Sequence, residues 1–274
     1  MQERHLNRRQ YFQEQANTAQ EFYMEYIRPF MTLAPATRVL EIGCGEGGNL
    51  LPFAEAGCQV TGIDMSQLRI NEAQQFFAEN HQRGAFLCKN FMLVDKPKAE
   101  TERFDLVLVH DVIEHIEPSY KHDFFNHIKP FLKQGGIVFF GFPAWQNPFG
   151  GHQQISTGFA SKLPFIHLLP NPLYRGLLRL SGTSQRTIGE LMSIRRSRMS
   201  VERFEQIASE TGYGVIQRTL WLINPHYKQK FHIKPRCLWP LFSRICYLRN
   251  FYTTSAFYLL RAQRPSQSLN LPVE

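Results

Sequence analysis

Apolar residues recur at helical spacing between residues 7 and 30, where Tyr11, Phe12, Phe22, Tyr23, Tyr26 and Ile27 predict a helix that ends near Pro29. A short apolar run, Arg38 to Ile42, then predicts a strand that meets a glycine cluster and a helix over about 49–56. Gln59 to Ile63 predicts a second strand ending at Asp64, and a polar-faced helix follows over about 66–80 with Ser66 as its cap. Ala85–Cys88 and Phe104–Val109 predict strands three and four; a helix with Tyr120, Phe124 and Phe125 leads to a Gly135-Gly136 turn and a fifth strand, Ile137–Phe140. These strands are continuously apolar rather than alternating. Such strands, alternating with helices, predict an α/β doubly wound, mostly parallel sheet covered by helices on both faces.

Past Phe142 the texture changes. Residues 143–200 hold five of the sixteen prolines and short apolar clusters, which predicts an insertion after strand five, helical in pieces. Helical spacing returns over 200–211, with Phe204, Ile207 and Ala208 on one face and Ser200 as the cap, and two more strands are expected near 215–222 and 255–260, about seven in all. The expected organisation is one domain over 1–274: an N-terminal helical segment (1–37), a cofactor-binding core (38–142), an insertion or substrate lid (143–200), and a C-terminal helix with strands completing the sheet (201–274).

Composition narrows the function classes. With 43% hydrophobic and 20% charged residues the chain is globular. No apolar run approaches a membrane span, and the N-terminal stretch is too polar for a secretory signal. The five cysteines are scattered without a CxxC pair, which predicts reduced thiols and a cytoplasmic setting. Charge is unevenly placed: residues 1–142 hold 14 Lys and Arg against 18 Asp and Glu, whereas residues 143–274 hold 17 against 5. The basic half suggests an anionic partner such as phosphate, an acidic membrane surface or nucleic acid; a solvated surface is the alternative.

The glycine cluster carries the first chemistry. Gly43, Gly45, Gly47 and Gly48 between a strand and a helix allow a tight turn and close approach of a ligand to backbone N–H groups. Gly43, Gly45 and Gly48 also satisfy G-x-G-x-x-G with Asp64 downstream, which by itself fits a nicotinamide or flavin enzyme. Glu41 shifts the balance, because a carboxylate at this turn repels a pyrophosphate and suits a cationic ligand. Here the sequence resembles the class I S-adenosylmethionine-dependent methyltransferases, which are Rossmann-like, over roughly residues 38–142. The resemblance implies that Glu41, Gly43, Cys44, Gly45 and Gly47 line the methionine portion of the cofactor, that Asp64 holds the ribose diol, and that Met65 packs on adenine. Asn90 and Phe91 stand where that family often has Asp and a small residue, and His110 would sit near the transferable methyl group.

The fourth strand ends in VHDVIEHIEP. A strand-to-helix turn brings Asp111, Glu114 and His115 near one another, since residues three and four apart share a face. Two carboxylates and an imidazole can collect a divalent ion. The pattern resembles the acidic-x-x-Glu-His motif of ubiquinone-pathway O-methyltransferases and small-RNA 2′-O-methyltransferases, with Asp111 where those usually have Glu. The resemblance implies a Mg2+-type site of Asp111, Glu114, His115 and a later histidine, His152, beside Gly150 and Gly151. His152, His115 and Asp111 are accordingly the candidate catalytic residues, since methylating a hydroxyl oxygen needs a positioned base or an acidifying metal; His152 acting as base without metal, and a purely structural His115, stay open.

Residues 159–180 combine apolar side chains with Lys162, Arg175 and Arg179, as expected of an apolar lid, a membrane-interface segment or plain core packing. Arg195, Arg196 and Arg198 form one basic run; Lys228, Lys230, Lys234 and Arg236, interleaved with Tyr227, Phe231 and Trp239, form another. The expectation is an enzyme that methylates an oxygen of an anionic small-molecule or lipid-linked acceptor, cytoplasmic or peripheral at the inner membrane face. RNA 2′-O-methylation with a divalent metal and a non-catalytic cofactor-binding module are the alternatives, nucleic acid being the less favoured partner.

Overall fold

The apolar runs of strands one, four and five are buried on both faces in the computed structural model, which describes residues 7–263, whereas Ala85–Cys88 at the sheet edge is mostly exposed. The strands are β1 (Arg38–Ile42), β2 (Gln59–Asp64), β3 (Ala85–Cys88), β4 (Phe104–His110), β5 (Leu132–Phe142), β6 (Tyr213–Ile223), β7 (Arg236–Cys237) and β8 (Ser255–Ala262). They form one sheet in the order β3-β2-β1-β4-β5-β8-β6-β7. Pairing is parallel from β3 through β5 and antiparallel at β5–β8, β8–β6 and β6–β7. This is the doubly wound α/β architecture expected from the pattern, with eight strands instead of about seven. The extra one, β7, is a two-residue pairing at the sheet edge opposite Trp221 and Ile223, too short to leave a pattern.

Alternate residues of the central strands feed two cores. Val39, Leu106, Leu108, Phe139 and Phe257 face one layer, with helix α1 (Arg8–Thr18), α2 (Leu51–Glu55) and α3 (Gln67–Glu79). Leu40, Val107, Val109, Phe140 and Tyr258 face the other, with α4 (Lys121–Ile128) and a later helix that carries Phe204 and Ile207. The long N-terminal helix of the pattern is broken: α1 passes through a π-helical turn, Ala19–Tyr23, before a last turn, Met24–Ile27. Ser66 caps α3 by accepting from Arg69 N.

The stretch after β5 folds as short 3-10 turns followed by α5 (Asn171–Leu180) and α6 (Gln185–Ser197), around a small core of its own that includes Ile166, Tyr174, Leu178, Ile188 and Leu191. Its basic run is divided, with Arg196 and Arg198 exposed and Arg195 turned inward. Arg195 is buried and bonds the His167 carbonyl, and Arg196 pairs with Glu117 at 2.6 Å. Helix α7 (Val201–Glu210) opens on Ser200, whose hydroxyl accepts from Arg203 N at 3.1 Å. A later helix, α8 (His226–Phe231), packs beside α1, with Lys228 paired to Glu21 at 2.5 Å. Among the described residues no helix is long and apolar enough to cross a membrane.

Candidate functional site

A cavity of about 790 Å3 opens where β1, β2, β3 and β4 end, at the carboxyl edge typical of ligand sites in doubly wound sheets. Its wall runs from Gly43, Gly45 and Asp64–Met65, past Asn90–Phe91, to His110–Asp111 and on to His115 and Tyr120. The turn after β1 requires glycine: Gly43, Gly45 and Gly47 all have positive φ, and a Cβ on Gly43 would come within 2.5 Å of Val112 Cγ2. Asp64 ties the turn to β2, its Oδ2 accepting from Gly45 N at 3.0 Å and its Oδ1 from Ser66 N at 2.8 Å. Met65 stands largely exposed, at 74%. Asn90 Oδ1 accepts from Met92 N at 3.0 Å, capping the turn that holds Phe91. A carboxylate fixed by two backbone donors, an exposed thioether and a wall of bare backbone fit a nucleoside with a ribose diol.

Three residues expected on that wall lie behind it. Glu41 is 1% exposed; its Oε1 accepts from Asn49 Nδ2 at 2.7 Å, and its Oε2 has no hydrogen-bond partner. Cys44 is buried with its sulfur against Gly62 of β2, and Gly47 faces Phe86 and Phe77. The parity of a strand explains Glu41: its neighbours Leu40 and Ile42 both join one hydrophobic core, so Glu41 is turned into the opposite layer beneath the turn. Burial pushes its carboxyl up to about 8 although Asn49 opposes the shift, so Glu41 carries a proton through much of the neutral range and presents no charge to a ligand. Below pH 4.5, its ordinary value, both folded and unfolded chains hold this proton; as pH rises toward 8 only the folded chain does, and stability falls. Glu41→Gln should therefore gain stability relative to the parent as pH rises from 5 to 8, by up to about 1.4 kcal/mol per pH unit, read as a widening gap in Tm between paired melting curves.

Several wall residues had no signal in the chain's local pattern. Tyr11 and Gln15 reach the cavity from α1, and Glu117, Tyr120 and Asp123 from the segment after β4. Glu46, within the glycine turn, is fully buried between Arg8 at 2.5 Å and Arg69 at 3.2 Å. The only local trace of Tyr11 is its place on the apolar face of the first helix.

At the β4 end of the cavity the imidazoles and one carboxylate converge. Ligand-capable atoms of Glu114, His115 and His152 lie within 4.8 Å of one another. His152 Nε2 is 3.8 Å and His115 Nε2 4.0 Å from Glu114 Oε1, and the two imidazole rings stand edge to face at 5.1 Å. Glu114 is 3% exposed with neither oxygen hydrogen-bonded, and His152 Nε2 is likewise buried without a hydrogen-bond partner. Burial raises the Glu114 carboxyl well above its usual range, with Asp111 adding to the shift. Burial also lowers His115, and it lowers His152 to about 4, helped by His115. His152 is delivered by close chain contacts: a Cβ on Gly150 would strike Trp145 O at 2.3 Å, and one on Gly151 would strike His167 at 2.2 Å. His152 itself has φ +55°.

Asp111 does not join this group. It sits on the cavity wall with φ +53°, its Oδ2 3.4 Å from His110 Nδ1, while His110 Nε2 meets the Tyr23 hydroxyl at 2.8 Å. The four-residue ligand set expected from the motif is thus three residues in space, because the left-handed turn at Asp111 sends its side chain toward His110 instead of Glu114.

Residues 39–136 match a family model described as a methyltransferase domain. The chain is 35% identical over 101 residues to the ubiquinone biosynthesis O-methyltransferase of Bradyrhizobium sp. (strain ORS 278), covering 37% of this chain and 38% of that protein. The enzyme of the same name from Coxiella burnetii (strain Dugway 5J108-111) is 27% identical over 117 residues, 43% of this chain and 47% of the relative. The chain thus spans less than half the length of the curated relatives it matches. Among solved structures, the magnesium protoporphyrin IX methyltransferase from Synechocystis PCC 6803 with bound SAH superposes with a TM-score of 0.54 at 15% identity, covering 91% of this chain and 84% of that one. An S-adenosylmethionine-dependent methyltransferase from Clostridium acetobutylicum ATCC 824 superposes at 0.57 with 10% identity, over 90% and 92%. The sequence match lies on the segment that builds the glycine turn, Asp64 and the β4 end, and the structural likeness extends over the whole sheet. Residues 39–136 thus match a methyltransferase domain, and the sheet they belong to has the fold of the S-adenosylmethionine-dependent methyltransferase superposed on it.

Proposed function

We propose that the chain binds S-adenosylmethionine in the cavity at the strand ends and methylates an oxygen of a small-molecule acceptor beside His115. The observation that carries this reading is that one cavity joins a nucleoside cradle, Gly43 to Met65, to the cluster of buried Glu114, half-buried His152 and exposed His115 through the shared wall residue His115. When bound, the cofactor supplies an electrophilic methyl group on a sulfonium sulfur. Asp64 would accept the ribose hydroxyls on its remaining lone pairs, Met65 would pack on the adenine face, and the bare backbone of Gly43 and Gly45 would admit the methionine portion. Asn90 would meet the adenine edge through its amide NH2, since its Oδ1 is already engaged.

Glu114, His115 and His152 fit a divalent cation. Buried polar atoms without partners are costly, and each of Glu114's oxygens and His152 Nε2 is such an atom. One carboxylate with two imidazoles suits a transition-type cation such as Mn2+ or Zn2+ better than Mg2+, which prefers an all-oxygen shell. A cation held there would acidify an acceptor hydroxyl, which otherwise ionises far above neutral pH. The chain's own contribution is to hold the ligands still: His152 is fixed by the crowded Gly150-Gly151 backbone, and Glu114 is held in a buried position.

Calorimetric titration of S-adenosylhomocysteine, then of Mn2+, Zn2+ and Mg2+ separately, tests both halves. The reading expects binding of the nucleoside and stronger binding of Mn2+ or Zn2+ than of Mg2+. Absence of nucleoside binding would overturn the methyltransferase reading; nucleoside binding without any metal binding would leave His152 as the base and remove the cation.

A further inference from the structure

The connection between β6 and β8, residues 224–254, is built inside out. Several of its polar side chains are spent on the protein. Glu202 of α7 accepts from Tyr247 N and Arg249 Nε, both at 2.9 Å, and from Asn250 Nδ2 at 2.6 Å, while Asn250 Oδ1 accepts from Val201 N at 2.9 Å. At the other end Lys228 holds Glu21 of the π-helical turn that follows α1. Its large apolar side chains face outward instead: Trp239 is 66%, Leu241 71% and Tyr247 68% exposed, with Ile233, Ile245 and Phe251 also exposed. Single exposed apolar residues are ordinary, but a set concentrated within twenty positions on a well-anchored connection is not.

The charge around these residues has one sign. From residue 211 to residue 273 the sequence has no Asp or Glu. Exposed Lys234, Arg236 and Arg244 stand among the apolar side chains and make no ion pair among the described residues. Aromatic and aliphatic side chains bracketed by unpaired cations match the boundary between lipid headgroups and acyl chains, where the rings and alkyl groups enter and the cations meet phosphate. Nucleic acid would use the cations and rings but has nothing to offer Ile233, Leu241 and Ile245.

We infer that the 224–254 connection docks the protein on an anionic phospholipid surface. Position gives this docking a use. β6 runs parallel to β5 and β8 runs back, so the connection lies at the same sheet edge as the cavity, and α8 packs on α1, which supplies Tyr11 and Gln15 to the cavity wall. Docking would bring the rim of the cavity to the headgroups, where an amphipathic acceptor concentrates. That consequence rests on the methyl-transfer reading; the docking does not.

The test is sedimentation of the full chain with vesicles of phosphatidylcholine alone and of phosphatidylcholine mixed with phosphatidylglycerol, with tryptophan emission recorded in parallel. The expected result is binding to the mixed vesicles with a blue shift, and much weaker binding to neutral ones. Lys234→Gln with Arg244→Gln should cut the partition coefficient by roughly 25-fold, about fivefold per basic residue. Trp239→Ala with Leu241→Ala should lose both binding and the shift, and Arg83→Glu, a charge change at an exposed position on the far side of the sequence, should do neither. Melting curves of each variant establish that it folds. No binding to mixed vesicles overturns the proposal, as does full binding by the folded Trp239→Ala/Leu241→Ala variant. Dimerisation that the same variant abolishes, without vesicle binding, would assign the face to a second copy. Capture of an RNA homopolymer without vesicle binding would assign it to nucleic acid. Loss of methyl transfer with vesicle binding intact would overturn the proposed reaction and leave the docking surface standing.

Discussion

Asp64→Ala should weaken S-adenosylhomocysteine binding by about 100-fold or more, since hydrogen bonds to a charged group are each worth about 1.5–3 kcal/mol and the two to the ribose diol would be lost. The reasoning has two parts. The carboxylate offers acceptors to a ribose diol, and it also clasps Gly45 N at 3.0 Å and Ser66 N at 2.8 Å. Removing it therefore loosens the glycine turn against β2 as well as deleting a ligand contact. Asp64→Asn should fall between, because its carbamoyl oxygen keeps one clasp while its NH2 confronts the other N–H. Calorimetric titration of the three proteins gives the order. Affinity within about threefold of the parent for the alanine variant would mean that the cavity is not the cofactor site, because lost charged hydrogen bonds cannot be that cheap.

His152→Ala should lower methyl transfer by about 100-fold or more, the usual range for removing a metal ligand or a general base, while leaving S-adenosylhomocysteine affinity unchanged. Two measurements separate the chemistries. Titration of Mn2+ or Zn2+ into the variant should show the cation site lost if His152 is a ligand. If it is a base acting alone, the parent shows no metal binding to lose, and turnover falls all the same. A structural role predicts neither result: the variant would melt lower and turn over normally. Glu114→Gln extends the comparison, because it keeps the shape of the buried side chain and removes the anionic donor; metal affinity should fall with it while nucleoside binding stays.

The glycine turn, Asp64 and the Glu-His pair after β4 are legible in the chain because each is local. A strand that meets Gly43, Gly45 and Gly47 leaves few conformations open to the backbone, and an acidic residue at the end of β2 falls beside that turn in any parallel pairing of β1 with β2. The motif around Glu114 and His115 is likewise one turn of chain. What the local pattern could not settle is direction. Whether Glu41 faces the ligand or the core depends on which layer its neighbours join, and Leu40 and Ile42 take one core while the carboxyl goes beneath the turn. Asp111 shares sequence spacing with Glu114 and His115, yet a left-handed backbone at that residue turns it to His110.

By itself, then, the sequence determined the layered α/β sheet, the cofactor turn and the local chemistry at the end of β4, since continuous apolar runs, glycine spacing and turn motifs act over a few residues. Tertiary structure alone decided which side chains share a space. It folded α1 over the cavity so that Tyr11 and Gln15 join the wall, brought His152 across nearly forty residues to Glu114 and His115, buried Arg195 out of a basic run whose other members stay exposed, and turned Trp239 and Leu241 outward. The physical reason is the same in each case. Burial and charge act through distance in space, and only the packed layers of the sheet convert separation along the chain into that distance.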